Sequence, residues 1–164
     1  MELSREEILR YAGFRGKTAA VPTELSRRLD ELLRAAPISP RSTFKRIGDE
    51  LLLVGTIGAD FDRWHRRLAL TSAADALLAQ AIGAAAVEAV MDALEARAKA
   101  SVASRGENFG PRRSPGYGEM PLARSAEILE KTGGTAATGV HCTADFLLVP
   151  SKSVTAVCRL RSGG

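Results

Sequence analysis

The sequence has few of the residues on which common catalytic and metal-binding sites depend. Among its 164 residues are two cysteines, two histidines and 5% aromatic residues. Cys142 and Cys158 form no CxxC pair, and His65 and His141 add no zinc-like spacing. The sequence also lacks GxSxG, P-loop and HExxH patterns. We therefore expect no catalytic side chain and no metal site, and we interpret the cysteines as core residues on strands.

Long apolar runs are also missing. No stretch reaches the roughly 18 apolar residues that a membrane span needs. The first ten residues are charged throughout, unlike a signal peptide. We expect a cytoplasmic protein with no membrane partner. A chain of this length buries one core, so residues 1–164 are predicted to form a single domain.

The chain carries no strong excess of charge of one sign. Its formal net charge is +4, and in the N-terminal half acids alternate with bases, as on solvated helix faces. A basic excess occurs only at Arg105, Arg112, Arg113 and Arg124, with few aromatic residues between them for base stacking. Nucleic-acid binding is therefore the weakest of the three functional hypotheses considered below, and we expect no nucleic-acid partner.

The apolar pattern predicts an α+β fold. Helices are indicated by capping residues and by apolar residues at three- and four-residue spacing, after Ser4 and over 23–36, 60–71, 72–101 and 121–131. Apolar runs between turn residues predict strands over 41–47, 50–57, 139–149 and 153–161. We expect one antiparallel β-sheet packed with helices, with the long 72–101 helix at its centre.

One carboxylate on that long helix lies beside a strip of small residues. Glu88 shares a helix face with Ala81, Ala84, Ala85 and Asp92, at spacings of three, four or seven residues. The alanines predict a shallow groove next to the carboxylate. Either another helix or a ligand is expected to fill this groove.

The segment after the long helix is the most informative in the chain. Residues 102–118 contain four glycines and two prolines and cannot continue the helix. Loops of this length are more often functional than short connectors. Glycine lets the main chain approach a bound group closely, and Arg112 offers a planar fork that suits a carboxylate. The composition is compatible with a site for a small zwitterionic ligand, or with an ordinary arginine-containing surface loop.

Residues 112–117 (RRSPGY) resemble the RxxPGY region of the activation, or reactivation, domain of vitamin B12-dependent methionine synthase, especially its stand-alone bacterial form. The resemblance continues through residues 118–122. Residues 7–16 are similar to the start of those stand-alone proteins, residues 86–97 to their long helix, and residues 139–157 to the stretch after the loop. The four matches keep their order and span most of the chain.

The resemblance implies a site for S-adenosylmethionine. Arg112 is expected to pair with the methionine carboxylate of this cofactor, and Glu88 to contact its polar groups. Ser114 stands where the family often has alanine, with its backbone facing the ligand, and Gly116 and Tyr117 complete the loop. The implied function is that of a reactivation subunit in the reductive methylation of cob(II)alamin. It is an accessory to a methyltransferase rather than a self-contained enzyme.

The implied partner is a methionine synthase or related corrinoid methyltransferase that carries the cobalamin. A flavodoxin- or ferredoxin-like protein is the expected electron donor. One feature of the family has no counterpart here: we find no match for its additional acidic ligand residue near the start of the domain. This difference favours the alternative function, an interaction module of the same fold that has lost ligand binding.

Overall fold

A computed structural model describes residues 3–14, 21–103 and 105–161. In this part of the chain there are six helices: α1 (Arg5–Tyr11), α2 (Thr23–Ala35), α3 (Ala59–Thr71), α4 (Ala73–Ala103), α5 (Arg124–Thr132) and α6 (Gly134–Thr138). The strands of the same residues are β1 (Arg41–Ile47), β2 (Glu50–Thr56), β3 (His141–Cys142), β4 (Leu148–Val149) and β5 (Ser153–Arg159). The α+β prediction is confirmed. The end of the 7–16 segment lies outside the described residues.

The main sheet has three antiparallel strands in the order β1-β2-β5. β1 and β2 form a hairpin in which Ile47 pairs with Glu50 around a tight turn. Gly48 has a φ of 59° at this turn, a conformation that glycine adopts without steric cost. β5 pairs with the other side of β2, so that Glu50 lies opposite Arg159. β2 is therefore the central strand, and β1 and β5 are the two edge strands.

Helices cover both faces of this sheet. Because side chains alternate along a strand, β2 directs Leu51 and Leu53 to one face and Leu52 and Val54 to the other. The first pair packs against Met91 and Leu94 of α4. The second pair packs against Ile128 and Leu129 of α5. The sheet therefore separates an α4 face from an α5 face, and this division decides where the loop residues point.

The N-terminal helices pack on the long helix. Ser4 caps α1 by accepting a hydrogen bond from the Glu7 N–H at 3.3 Å, as the capping pattern predicts. Ile8 of α1, Leu29 of α2 and Phe61 of α3 enter a shared core with α4. α3 approaches α4 closely at Gly83, where an added Cβ would lie 2.6 Å from the Phe61 ring.

Helix α4 also has the length and composition of a membrane span, the one helix of the described chain to do so. Within its most apolar 18-residue window, 61% is buried inside the domain. Packing against α1, α3 and the sheet accounts for the apolar character of this helix.

The prediction of one strand over 139–149 is wrong. This region contains instead a two-stranded ribbon of β3 and β4, separate from the main sheet. The ribbon turns back at Thr143, whose side chain accepts a hydrogen bond from the Leu147 N–H at 3.1 Å, and Phe146 adopts a φ of 62°. A threonine that bonds to the backbone of the turn and a residue in the left-handed region interrupt an extended chain. The main sheet therefore has three strands rather than four.

Candidate ligand-binding site

The long loop between α4 and α5 runs along the free edge of β5. The Gly110 N–H donates to the Arg159 carbonyl at 2.9 Å. Arg113 and Val157 exchange two backbone hydrogen bonds of 2.8 Å, which is the pattern of an antiparallel bridge. The loop thus continues the sheet beyond β5 for a few residues, and the backbone of Arg113 is fixed.

Two adjacent arginines of this loop lie on opposite faces of the sheet. Arg113 is bridged to Val157, and directly paired residues project to the same side. Val157 packs with Ile128 and Leu129 on the α5 face. Arg112 projects the other way and contacts α4. The two guanidinium groups therefore serve different surroundings.

Arg112 is held by three carboxylates of α4. Its Nη2 donates to Glu88 Oε2 at 2.6 Å, and its Nη1 donates to Asp92 Oδ1 at 2.6 Å and to Glu95 Oε2 at 2.8 Å. The spacing of four and three residues places the three acids on one face of the helix. The structure thus brings together Arg112 and Glu88, two of the predicted site residues, but as partners of each other. We name these four residues the Arg112 cluster.

The contacts of the Arg112 cluster shift the pKa values of its two least exposed members, Arg112 and Glu95. Burial alone would lower the pKa of Arg112, but hydrogen bonds to Asp92, Glu95 and Glu88 outweigh burial and raise it. Burial would raise the pKa of Glu95, yet hydrogen bonds from Lys99 and Arg112 hold it below its ordinary value of 4.5. These ion pairs tie the start of the loop to α4.

The groove predicted beside Glu88 is filled by a helix. Ala81 and Ala85 are buried against Ile8 and Leu9 of α1. Of the two occupants that the sequence allowed, the structure places another helix at this position.

The remaining candidate residues form a tight turn. The Tyr117 N–H donates to the Ser114 carbonyl at 3.3 Å, and the Gly116 N–H donates to the Met120 carbonyl at 2.9 Å. Gly116 has a φ of 89°, and an added Cβ would lie 3.2 Å from Leu122, so the turn requires glycine here. These two N–H groups are therefore used within the loop. The Tyr117 side chain is 77% exposed.

A cleft of about 960 Å³ lies on the α5 face, between this turn, α5 and the end of β5. Its size is within the usual range for small-molecule sites. Its lining residues come from four separate parts of the chain: Glu50, Gly110, Pro111, Arg113, Tyr117, Gly118, Glu119, Met120, Pro121, Arg124, Glu127, Val157, Arg159, Leu160 and Arg161. Tyr117 is thus the one predicted site residue that lines this cleft.

Charges of both signs line the cleft. Arg124 forms ion pairs with Glu127 and Glu50, and Arg159 Nε lies 3.5 Å from Glu50 Oε1. Arg113 is exposed, and no carboxylate among the described residues forms an ion pair with it. No pattern in the sequence predicted this cleft. The one related feature of the sequence is that Arg113 follows Arg112. This pair points to two different surfaces only if the loop pairs with an edge strand, because alternate residues of a strand project to opposite faces.

Comparison with known proteins identifies a solved structure of similar fold. No protein-family model matches this chain, and no curated protein matches it. The crystal structure of the MetH reactivation domain bound to AdoHcy matches with a TM-score of 0.69. The match has 15% sequence identity and covers 93% of this chain and 72% of that one. The chain therefore has the fold of that domain.

Proposed function

We propose that this domain binds S-adenosylmethionine and presents its methyl group to a cobalamin carried by a separate corrinoid protein. The observation that carries the proposal is the position of the 112–117 loop. The loop resembles the RxxPGY region of activation domains and borders a cleft of ligand size, in the fold of a reactivation domain solved with AdoHcy. AdoHcy is what S-adenosylmethionine becomes when it has lost its methyl group.

The proposed role is reductive reactivation, as in the stand-alone bacterial form of the family. A flavodoxin- or ferredoxin-like donor supplies one electron to cob(II)alamin, and the methyl group then passes from the sulfonium sulfur to cobalt, releasing AdoHcy. The domain contributes binding and orientation, because the reactivity belongs to the two cofactors. We propose a cytoplasmic setting, with a methionine synthase or related corrinoid methyltransferase as the partner.

The cleft offers groups for each part of such a ligand. Tyr117 presents an exposed ring on which a flat adenine can stack. Glu119, which lines the cleft and forms no ion pair with a described cation, supplies negative charge that favours a sulfonium cation, and Arg113 supplies positive charge for a carboxylate. A zwitterionic nucleoside needs this combination of an aromatic surface and both signs of charge.

The direct ligand contacts that the resemblance implies for Glu88 and Arg112 stay predictions, as do those of Ser114 and Gly116. Contact with Arg112 requires that the ligand carboxylate displace Glu88, Asp92 or Glu95 from the guanidinium. In the present arrangement these residues position the loop against α4.

A second candidate function, an interaction module without a ligand, is favoured by a specific observation. The Arg112 cluster and the hydrogen bonds of the turn hold the loop in place by contacts within the domain. A loop that is already held by these ion pairs and hydrogen bonds needs no ligand to order it.

Titration calorimetry of the folded protein with S-adenosylmethionine and AdoHcy distinguishes the two functions. The first predicts saturable binding, weakened about tenfold in Tyr117→Ala because stacking on a base is lost, and retained in Tyr117→Phe. Leu70→Ala, which removes an exposed apolar side chain of α3, is the control and should bind as wild type. Absence of saturable binding to the folded wild type would reject this function in favour of the interaction module.

A further inference from the structure

The turn between β4 and β5 is held in place from two sides. The Ser151 N–H and hydroxyl donate to the two carboxylate oxygens of Asp62 on α3, at 2.7 and 2.6 Å. The Lys152 carbonyl accepts hydrogen bonds from the Ile57 N–H and the Thr56 hydroxyl, both at 3.2 Å. The backbone from which the Lys152 side chain projects is therefore fixed.

The Lys152 side chain lies where α3 meets α4. A Cβ added at Gly83 of α4 would lie 2.9 Å from Lys152 Cε and 2.6 Å from the Phe61 ring of α3. The lysine and the phenylalanine therefore contact α4 at the same residue, and Lys152 is half-buried there. No carboxylate among the described residues forms an ion pair with its amine.

The three other lysines that the structure describes have different surroundings. Lys99 and Lys131 each form an ion pair with a glutamate four residues earlier on the same helix. Lys45 is exposed on β1. Among these four side chains, Lys152 alone combines partial burial with an amine that lacks a carboxylate partner.

Burial without a counter-ion favours the neutral form of an amine. Loss of hydration lowers the pKa of Lys152, while the negative charge of Asp62 acts in the opposite direction. The other two residues that contact or adjoin the side chain, Phe61 on α3 and Gly83 on α4, do not titrate. A lysine in such surroundings is more nucleophilic near neutral pH than an exposed one, because a larger fraction of it is deprotonated.

We propose that Lys152 is a site of covalent acylation by small acyl phosphates. The lone pair of the neutral Nζ attacks the carbonyl carbon, the C–N bond forms, and the C–O bond to phosphate breaks. The nitrogen gives up one proton, which the departing phosphate takes. The amide that results carries no charge, so it suits a half-buried position better than the ammonium does. Lys152 is not among the residues that line the cleft, and this site is separate from it.

Competitive acetylation of the full chain with acetyl phosphate tests the proposal. Limited reagent at about pH 7.5, followed by peptide mass spectrometry, gives a rate constant for each lysine. We expect Lys152 to react at least about threefold faster than Lys45, because more of its amine is neutral. The ratio should fall to about one or below at about pH 11, where both amines are largely neutral.

Two variants on α3 form a matched pair. Asp62→Asn removes the charge that favours the ammonium form, and should increase the Lys152 rate by about twofold or more. Asp60→Asn removes an exposed carboxylate that pairs with Arg63 and should leave this rate unchanged. Thermal denaturation reports the fold of both variants, because Asp62 also holds the turn. Lys152→Arg should abolish the fast-reacting peptide.

Two results would overturn the proposal. A Lys152 rate at or below that of Lys45 at about pH 7.5 would mean that burial shields the amine instead of activating it. An advantage of Lys152 that persists in the urea-unfolded chain would arise from neighbouring residues in sequence and not from the fold. Neither result bears on the proposed function, and a failure to bind S-adenosylmethionine would leave the acylation site standing.

Discussion

Glu95 is the least exposed carboxylate of the Arg112 cluster. Its side chain is 16% exposed, against 39% for Glu88 and 70% for Asp92. Solvent screens its ion pairs least, so it should contribute most of the stabilisation of the cluster. Hydrogen bonds from Lys99 and Arg112 hold its pKa below 4.5 even though burial acts in the opposite direction.

This lowered pKa makes the contribution of Glu95 depend on pH. A carboxyl group whose pKa is lower in the folded state stabilises the fold above its ordinary pKa, and the effect is lost as the pH falls through the folded value. We expect Glu95→Gln to lower the free energy of unfolding at pH 7 by about 1 kcal/mol, with a smaller gap at pH 3. Urea unfolding at both pH values measures this gap.

Glu130→Gln is the control for this prediction, because Glu130 is an exposed carboxylate on α5. It should change the free energy of unfolding little at either pH. A gap between wild type and Glu95→Gln that is the same at pH 7 and pH 3 would show that the side chain acts through packing rather than charge.

The residues of the candidate site were predictable from the sequence only in part. The spacing of Glu88, Asp92 and Glu95 already places them on one face of a helix. Their partner Arg112 lies 17 to 24 residues away along the chain, and its direction depends on the bridge between Arg113 and Val157. Pairing at a sheet edge is a long-range event that local composition does not encode.

Close packing of α3 on α4 depends on one small residue. At Gly83 an added Cβ would lie 2.6 and 2.8 Å from the ring of Phe61, which is fully buried. Alanine favours a helix over glycine by about 1 kcal/mol. Insertion of a methyl group into a packed core costs about 1–3 kcal/mol. The clash should therefore dominate.

We expect Gly83→Ala to lower the free energy of unfolding by about 1–2 kcal/mol, measured by urea denaturation. Gly110→Ala is the matched control, since a Cβ there meets only ordinary contacts of 3.7 Å. In a double-mutant cycle, Phe61→Leu should relieve part of the penalty of Gly83→Ala. A more stable Gly83→Ala protein would mean that the ring moves aside and that the gain in helix propensity prevails.

Some secondary-structure elements could be predicted from the sequence and others could not. The β1-β2 hairpin and α4 follow from apolar runs, a glycine turn and an uninterrupted helical pattern, all of which are local. Residues 139–149 have a similar apolar content, but they follow α6 and form the short β3-β4 ribbon. Apolar content alone predicted a strand there, whereas the turn chemistry of Thr143 and Phe146 determined the result.

At the scale of the whole molecule, the cleft is assembled from distant parts of the chain. Glu50 of β2, Tyr117 of the loop, Glu127 of α5 and Arg159 of β5 converge only after the sheet and α5 have packed. A ligand that binds this cleft therefore contacts the folded state and not the unfolded chain. Ligand binding and global stability are linked for this reason.

This linkage predicts a thermal shift. A ligand at about 100 times its Kd stabilises the folded state by about 2.7 kcal/mol, which for a domain of this size raises the melting temperature by roughly 5–10 °C. We expect this shift with S-adenosylmethionine, and a smaller one in Tyr117→Ala at the same ligand concentration, because that variant binds more weakly. Sodium chloride at matched ionic strength is the control. An equal shift with salt alone would indicate charge screening of a +4 chain, whereas a shift that persists unchanged in Tyr117→Ala would place the ligand outside the cleft.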